Sequence, residues 1–313
     1  MVDVPAGGVR PILKWAGGKR QLLPELRPFY PRHFSRYVEP FLGSGAVFLD
    51  LYNAGLLHGR RVALSDINAD VIGCYRAVRD AVEEVIQTLK ALESAHRSDG
   101  DELFYEIRDR SFNPARRAVH ATDDPVAAYT PSLAAMLIFL NRTGYNGLFR
   151  VNSRGDFNVP AGRYANPKIC DEANLRAWHA ALSRAGVTLR VASFEAALAD
   201  GGQDDFVYLD PPYAPLSGTA RFTSYTPGGF DAVQQKALQR AVIALASRGA
   251  SVLLSNSTAP EIKALYARHR AARSAGLRTK TVAARRAINS RAASRGPVRE
   301  YLITNVRAPA GIK

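Results

Sequence analysis

Residues 204–213, DDFVYLDPPY, narrow the choice of fold more than any other stretch of this 313-residue chain. Phe206 to Leu209 is a short run of aromatic and branched apolar residues bounded by charges, the pattern of a strand buried on both faces of a sheet. The run stops at Asp210, because the two prolines behind it can continue neither a strand ladder nor a helix. A carboxylate, a carbonyl held by proline and the ring of Tyr213 are therefore expected together at the carboxyl end of a buried strand. Ligands bind at such ends in open α/β sheets. Two acceptors side by side suit an amine carrying two hydrogens, and a ring beside them suits a flat heterocycle. Taken alone, the tetrad reads equally as a proline-stiffened turn with Asp as its cap and Tyr packed on the core.

Other segments supply partners for that strand end. Arg36 to Phe41, RYVEPF, reads as a strand, and the small residues Gly43, Ser44 and Gly45 join it to an apolar helix beginning near Ala46. Such a junction leaves backbone N–H groups free to face a polar ligand. A dinucleotide fingerprint needs Gly or Ala at position 48, where this chain has Phe48, so a pyrophosphate cradle is disfavoured. Glu39, just before the turn, suits a cationic amine. Arg61 to Asp66 is the next strand, and Asp66 lies 21 residues past Gly45, the spacing at which a carboxylate reaches ribose hydroxyls. Asp66 serves equally as the N-cap of a helix beginning near Ala69. In PILKWAGGKR, Gly17 and Gly18 permit a close backbone approach between Lys14 and Lys19.

From about Cys74 to Lys168 the periodicity turns helical, which reads as an inserted, mainly helical lobe between catalytic segments 1–73 and 169–313. The lobe ends in NRTGYNGLFRVNSRGDFNVPAGRY, residues 141–164. This run is dense in Asn, Arg, Gly and Tyr and suits a hairpin or loop presenting amides, guanidinium groups and rings to base edges. Strands resume at 188–193, 206–210 and 251–256. Two more, 279–284 and 301–306, are expected as a hairpin looped by an arginine-rich stretch.

Net charge is +14, and from Arg268 to Arg307 eleven basic residues stand against a single acid, Glu300. A charge of this sign and concentration points to a polyanion, most often nucleic acid. Two cysteines, Cys74 and Cys170, are too few for a disulfide scaffold or a metal site. The N-terminus has no signal-peptide character, and the longest apolar run, 133–140, is too short to span a bilayer. A cytoplasmic, nucleoid-associated protein with no membrane partner is expected.

The run KWAGGK, EPFLGSG, an acid after the second strand and DPPY closely resembles the Dam-type DNA adenine-N6 methyltransferases of the α group. The resemblance extends from Leu13 to about Asn305, and the 141–164 run narrows it to adenine in DNA. It implies an α/β fold: a Rossmann-like methyltransferase sheet with helices on both faces, plus the inserted helical target-recognition domain. It implies S-adenosylmethionine as cofactor, no metal and a double-stranded DNA partner, in a monomer or weak dimer. Trp15, Ala16, Gly17, Lys19, Glu39, Phe41, Gly43, Gly45, Asp66, Ser193, Phe194 and Asp210 would surround the cofactor. Asp210, Pro211, Pro212 and Tyr213 would carry catalysis on a flipped adenine. Lys14, Asn141, Arg142, Tyr145, Asn146, Leu148, Arg150, Asn158, Pro160 and Arg163 would meet DNA, within the sequence GATC.

Two departures from the family pattern stand out. Asn256-Ser257-Thr258 replaces an Asn-His-Asp type run, and residues 289–297 are unusually rich in arginine, as a phosphate clamp would be. A nicotinamide oxidoreductase would require the full glycine fingerprint and no basic stripe. A non-catalytic DNA-binding relative would be expected to have lost Asp210 or the glycine turn, and both are intact.

Overall fold

The computed structural model describes residues 7–215, 230–285 and 297–308. In chain order the elements begin α1 (Leu23–Leu26), β1 (Arg36–Glu39), α2 (Ala46–Asn53), β2 (Arg61–Asp66), α3 (Ala69–Asp80) and α4 (Val82–Glu106). They continue α5 (Asn113–His120), α6 (Pro131–Thr143), α7 (Glu172–Leu182), β3 (Val187–Val191), α8 (Phe194–Leu198) and β4 (Asp205–Leu209). The last are α9 (Ala232–Ser247), β5 (Ser251–Ser257), α10 (Pro260–Leu265), α11 (Arg270–Ser274), β6 (Arg278–Arg285) and β7 (Pro297–Thr304). Packing divides the chain into two units. One holds the residues through Gly18, Gly43–Ala54 and Asn68–Val191; the other holds Lys19–Leu42, Gly55–Ile67 and the chain from Ala192 onward.

The second unit is built on strands in the order β2-β1-β4-β5-β7-β6. The first four run parallel, β7 is antiparallel to β5, and β6 is antiparallel to β7. The chain moves from β1 out to β2 on one side and from β4 out to β5 on the other. The β1–β4 junction is thus a topological switch point, beyond whose carboxyl ends a ligand crevice forms.

Every residue of β4 is buried: Phe206–Leu209 form its apolar run, and Asp205 at its start is paired with Arg36 at 2.7 Å. Alternation sends Val207 and Leu209 to one face, where Leu238, Val242 and Leu245 of α9 meet Val252 and Leu254 of β5. Phe206 faces the other way, its ring 5.8 Å from that of Tyr30, 5.5 Å from that of Phe34 and 5.4 Å from that of Tyr37. Burying each of these large side chains contributes about 1.5–3 kcal/mol, so the strand that carries Asp210 is among the best anchored in this unit. The strands expected at 279–284 and 301–306 pair as β6 and β7; residues 289–296 of the arginine-rich run between them lie outside the described residues.

The first unit takes in all of 74–168 and is helical there, with α3 to α6. Asn68 caps α3, its side chain accepting from the Asp70 N–H at 2.9 Å. That moves the cap from Asp66 to Asn68, two residues later and immediately before the first helical residue, Ala69. Thr130 caps α6 by accepting from the Leu133 N–H, with Pro131 in the first turn. The buried Asp70 carboxylate holds the Arg116 guanidinium at 2.8–3.0 Å, joining α3 to α5. β3 is the strand expected at 188–193 and ends at Val191.

Candidate active site

Three carboxylates of the second unit stand at the carboxyl ends of adjacent parallel strands. Asp66 ends β2, Glu39 ends β1, and Asp210 follows β4 directly. Glu39 is 2% exposed and accepts from the Tyr37 hydroxyl at 2.8 Å; burial first, and this carboxylate second, push the Tyr37 phenol up. Phe41 stacks on Phe194 with ring centres 5.7 Å apart, and Phe230 closes on both at 5.8 Å, forming an apolar wall beside those strand ends. Ser193 serves α8 as its cap.

Asp210 gathers most of the polar contacts. The Lys19 ammonium lies 2.8 Å from its Oδ1, and the Ser255 hydroxyl donates to the same atom at 3.0 Å. Ser255 Oγ also lies 3.2 Å from the Tyr208 hydroxyl. Burial, the largest influence, pushes the Asp210 carboxyl above its ordinary value; Lys19 opposes the rise and Glu300 adds to it. Lys19 Nζ also sits 4.7 Å from the centre of the Tyr213 ring. The Tyr213 hydroxyl donates to Glu300 Oε2 at 2.7 Å, and burial, ahead of Asp210 and Glu300, raises the phenol well above its usual range.

The backbone of the tetrad is braced from behind. Gln235 of α9 donates to the Pro212 carbonyl at 3.0 Å. Asn256, fully buried, accepts from the Ala214 N–H at 3.4 Å and donates to Gln235 Oε1 at 3.1 Å. Ser257 Oγ donates to the Ala214 carbonyl at 2.7 Å. The Asn256-Ser257-Thr258 departure therefore has a local use: its first two side chains hold the chain leaving DPPY.

In the first unit Gly43 has φ +46°, and a Cβ there would meet Trp15 Cδ1 at 2.8 Å. Gly45, at φ +66°, opens α2. The Tyr75 hydroxyl donates to the Gly43 carbonyl at 2.7 Å and fixes the turn. Trp15 stacks on Phe149 at 5.7 Å, and the Gly18 N–H closes the KWAGG turn on the Trp15 carbonyl at 3.0 Å, leaving Ala16 half-buried and Gly17 exposed.

The 141–164 run is a hairpin-like loop closed by bridges between Gly144 and Ala161 and between Val151 and Phe157. The Tyr145 N–H bonds the Pro160 carbonyl at 2.9 Å, and the Tyr145 ring is left 44% exposed. Arg150, exposed, donates to Asn158 Oδ1 at 2.8 Å and to the Asn158 carbonyl at 3.1 Å. Pro160 and Arg163 are exposed; Asn146 (φ +54°) and Leu148 are half-buried. Lys14 donates from Nζ to the Arg142 carbonyl at 3.3 Å and lies 4.1 Å over the Tyr164 ring; burial first, then Arg142, lowers its ammonium below the usual range. Arg142 donates to the Pro11 carbonyl at 3.1 Å.

Asn141, expected among the DNA contacts, is 1% exposed. Its amide accepts from the Lys14 N–H at 2.7 Å and donates to the carbonyls of Lys14 at 2.9 Å and Gly147 at 3.0 Å. It holds the KWAGGK turn to the loop and offers no free edge to a duplex.

Ser255, Glu300 and Gln235 were absent from the expected site. Ser255 and Glu300 lie on strands far from DPPY in sequence, and only the pairing of β4 with β5 and of β5 with β7 brings them near; Gln235 lies on α9, the element after β4. One signal was available for Glu300, the lone acid in a run of eleven bases.

Comparison with known proteins identifies the family of the chain. The family described as D12 class N6 adenine-specific DNA methyltransferase matches residues 15–283. The chain is 34% identical over 297 residues to the Type II methyltransferase M1.LlaDCHI of Lactococcus lactis subsp. cremoris, covering 95% of each chain. It is 40% identical over 258 residues to the Type II methyltransferase M.MjaIII of Methanocaldococcus jannaschii, covering 80% of this chain and 84% of that one. With the DNA adenine methylase of Escherichia coli K12 it shares 35% identity over 296 residues, 94% of each chain.

Proposed function

The chain belongs to the D12 class N6 adenine-specific DNA methyltransferases, and on that premise we propose that it methylates adenine within GATC, on a base swung out of the duplex, at Asp210-Pro211-Pro212-Tyr213. The single observation that carries the reading is Asp210 at the sheet's switch point, with an ammonium nitrogen seated between its carboxylate and the Tyr213 ring. Membership of the family implies S-adenosylmethionine and a DNA substrate. Among the described residues no helix is long and apolar enough to cross a membrane.

The residues present fit that cofactor. Glu39 is a buried carboxylate suited to its ammonium end, and Asp66 at the end of β2 suits ribose hydroxyls. In the turn at Gly43 and Gly45, glycine at 43, with φ +46°, lets the Trp15 ring close in where a Cβ would collide with it. Trp15, Ala16, Gly17, Lys19, Phe41, Ser193, Phe194 and Asp210 complete the proposed set. When bound, S-adenosylmethionine supplies a methyl group already activated on a sulfonium, for direct in-line transfer to N6. The protein's task is then placement, which for well-oriented reactants supplies up to roughly 7–11 kcal/mol.

Adenine N6 is a weak nucleophile because its lone pair is delocalised into the ring. Asp210 and the Pro211 carbonyl, by accepting its two hydrogens, favour a pyramidal nitrogen and stabilise positive charge as it forms. Swinging the base out costs a few kcal/mol. Stacking on Tyr213 returns about 1–3 kcal/mol.

For the recognition sequence, Lys14, Asn146, Leu148, Arg150, Pro160 and Arg163 are assigned to base contacts, with Tyr145 as the wedge beside the target. The exposed ring of Tyr145 and the bracing of Arg150 by Asn158 support these roles. Asn141 and Arg142 are assigned to positioning Lys14 and the KWAGGK turn. The arginine-rich run at 289–297 is assigned to phosphates, which steepens the salt dependence of binding.

The test is titration with S-adenosylmethionine in a calorimeter, followed by methyl transfer to duplexes with and without GATC. Transfer confined to GATC duplexes is the expected result. Transfer to another adenine site would reject GATC alone, and cofactor and duplex binding without transfer would leave a non-catalytic relative.

A further inference from the structure

Glu300 is chemically out of place: an acid on β7, within a basic stretch, in a protein that works on a polyanion. Side-chain alternation along β7 puts it opposite Ile303, which packs against α9's cluster, and its register partner on β5 is Ser257. Its Oε2 accepts the Tyr213 hydroxyl hydrogen at 2.7 Å, the length of a charge-assisted bond. The same ring carries Lys19 Nζ at 4.7 Å from its centre, while that nitrogen stands 2.8 Å from Asp210. A cationic nitrogen thus already sits between an aromatic face and a carboxylate, the environment that stabilises a nitrogen acquiring charge.

We propose that Glu300 is a positioning residue for methyl transfer: by accepting the Tyr213 hydroxyl hydrogen it fixes the ring and makes its face more electron-rich where N6 becomes positive. This rests on the methyltransferase reading above. In the step served, the N6–methyl bond forms as the sulfur–methyl bond breaks, sulfur keeps the electron pair, and N6 then gives up one proton. Asp210, raised above its ordinary value by burial with Glu300 adding to the rise, is the nearest base to receive that proton.

The experiment compares single-turnover methyl transfer by the parent, Glu300→Gln, Glu300→Ala and Tyr213→Phe, and by Glu300→Gln combined with Tyr213→Phe. The substrate is a duplex that the parent methylates, and duplex affinity is measured alongside. Glu300→Gln and Glu300→Ala are expected to slow the step about tenfold, the scale of one charge-assisted hydrogen bond, without weakening duplex binding. In the Tyr213→Phe background Glu300→Gln should change nothing further. The acid limb of the rate profile should move to lower pH in Glu300→Gln, because a negative neighbour of Asp210 is gone.

A rate within twofold of the parent in Glu300→Gln, or an equal loss with and without the Tyr213 hydroxyl, overturns the proposal. Should Glu300→Ala fail to fold, the near-isosteric Glu300→Gln decides. A parent that methylates no duplex overturns the methyltransferase reading itself, before any variant is compared.

Discussion

Lys19 and Asp210 form an ion pair of 2.8 Å in which the lysine side chain is 7% exposed. Lys19, proposed to lie beside the cofactor, has its ammonium as the counter-charge of the carboxylate. The pairing works against burial: burial favours the neutral form of the Asp210 carboxyl, and the cation in contact opposes that rise.

In the proposed mechanism, replacing Asp210 by Ala removes the acceptor for N6. Methyl transfer should fall by a factor of about 10²–10³ or more, the cost of deleting a preorganised group at a developing charge. Duplex binding should stay within a few fold, because the loop at 141–164 is untouched. Single-turnover rates and a binding titration check both halves; full activity in Asp210→Ala would end the mechanism.

The pH dependence follows from the same pair. In the proposed mechanism Asp210 must be ionised to accept from N6, so activity should be lost as pH falls through its value, which lies above the ordinary 3.8. Lys19 lowers that value, so Lys19→Met should shift the acid limb to higher pH. The profile of single-turnover rate against pH for parent and variant reads the shift, and a limb that stays put or moves down would contradict it.

Gly147 has φ +60°, and a Cβ there would run into the Lys14 side chain. Gly147→Ala must either unwind the turn or push Lys14 off Asn141 and Tyr164. Its strain is of the order of 1–3 kcal/mol. The expected result is weaker discrimination between GATC and near-matches with cofactor affinity unchanged, measured by competition binding and calorimetry.

Arg150 is braced by Asn158 at 2.8 Å. Arg150→Ala should cost roughly 1–3 kcal/mol of preference for the outer G·C pair, the worth of one bidentate guanine contact. Asn158→Ala should produce a smaller loss in the same direction, since the guanidinium remains but is no longer held. Equal losses on matched and mismatched duplexes would remove Arg150 from base reading.

Stability has its own test in the first unit. Burial pushes the Asp70 carboxyl up, but the His120 bond and Arg116 together outweigh it and hold the group below 3.8. A depressed carboxyl stabilises the fold above its unfolded value, about 3.9, and that contribution is lost as pH falls through the lower folded value. Arg116→Ala leaves the carboxylate buried without its main counter-charge and should cost about 3–5 kcal/mol by denaturant titration. A loss below 1 kcal/mol would show that solvent reaches Asp70 readily.

Most strands could be placed from the chain alone because their causes are local. The apolar run at 206–209 has no alternative to a covered strand, and prolines at 211 and 212 leave no choice about where it ends. Glycines at 43 and 45 announced a turn that the backbone confirms with positive φ. Asp66 misled as a cap because two polar residues precede α3 and only geometry distinguishes which one reaches the free N–H groups. Asn141 misled because an amide in a recognition run looks the same in sequence whether it faces a base or folds back on Lys14.

Local pattern therefore determined the sheet strands, the carboxylate-and-ring tetrad and the family to which the chain belongs. Tertiary structure decided which side chains surround the tetrad. Ser255 and Glu300 come from strands 45 and 90 residues beyond Asp210, and Lys19 from 191 residues before it. No spacing rule encodes such distances, because strand order and register across the sheet, not sequence separation, set which side chains share a face.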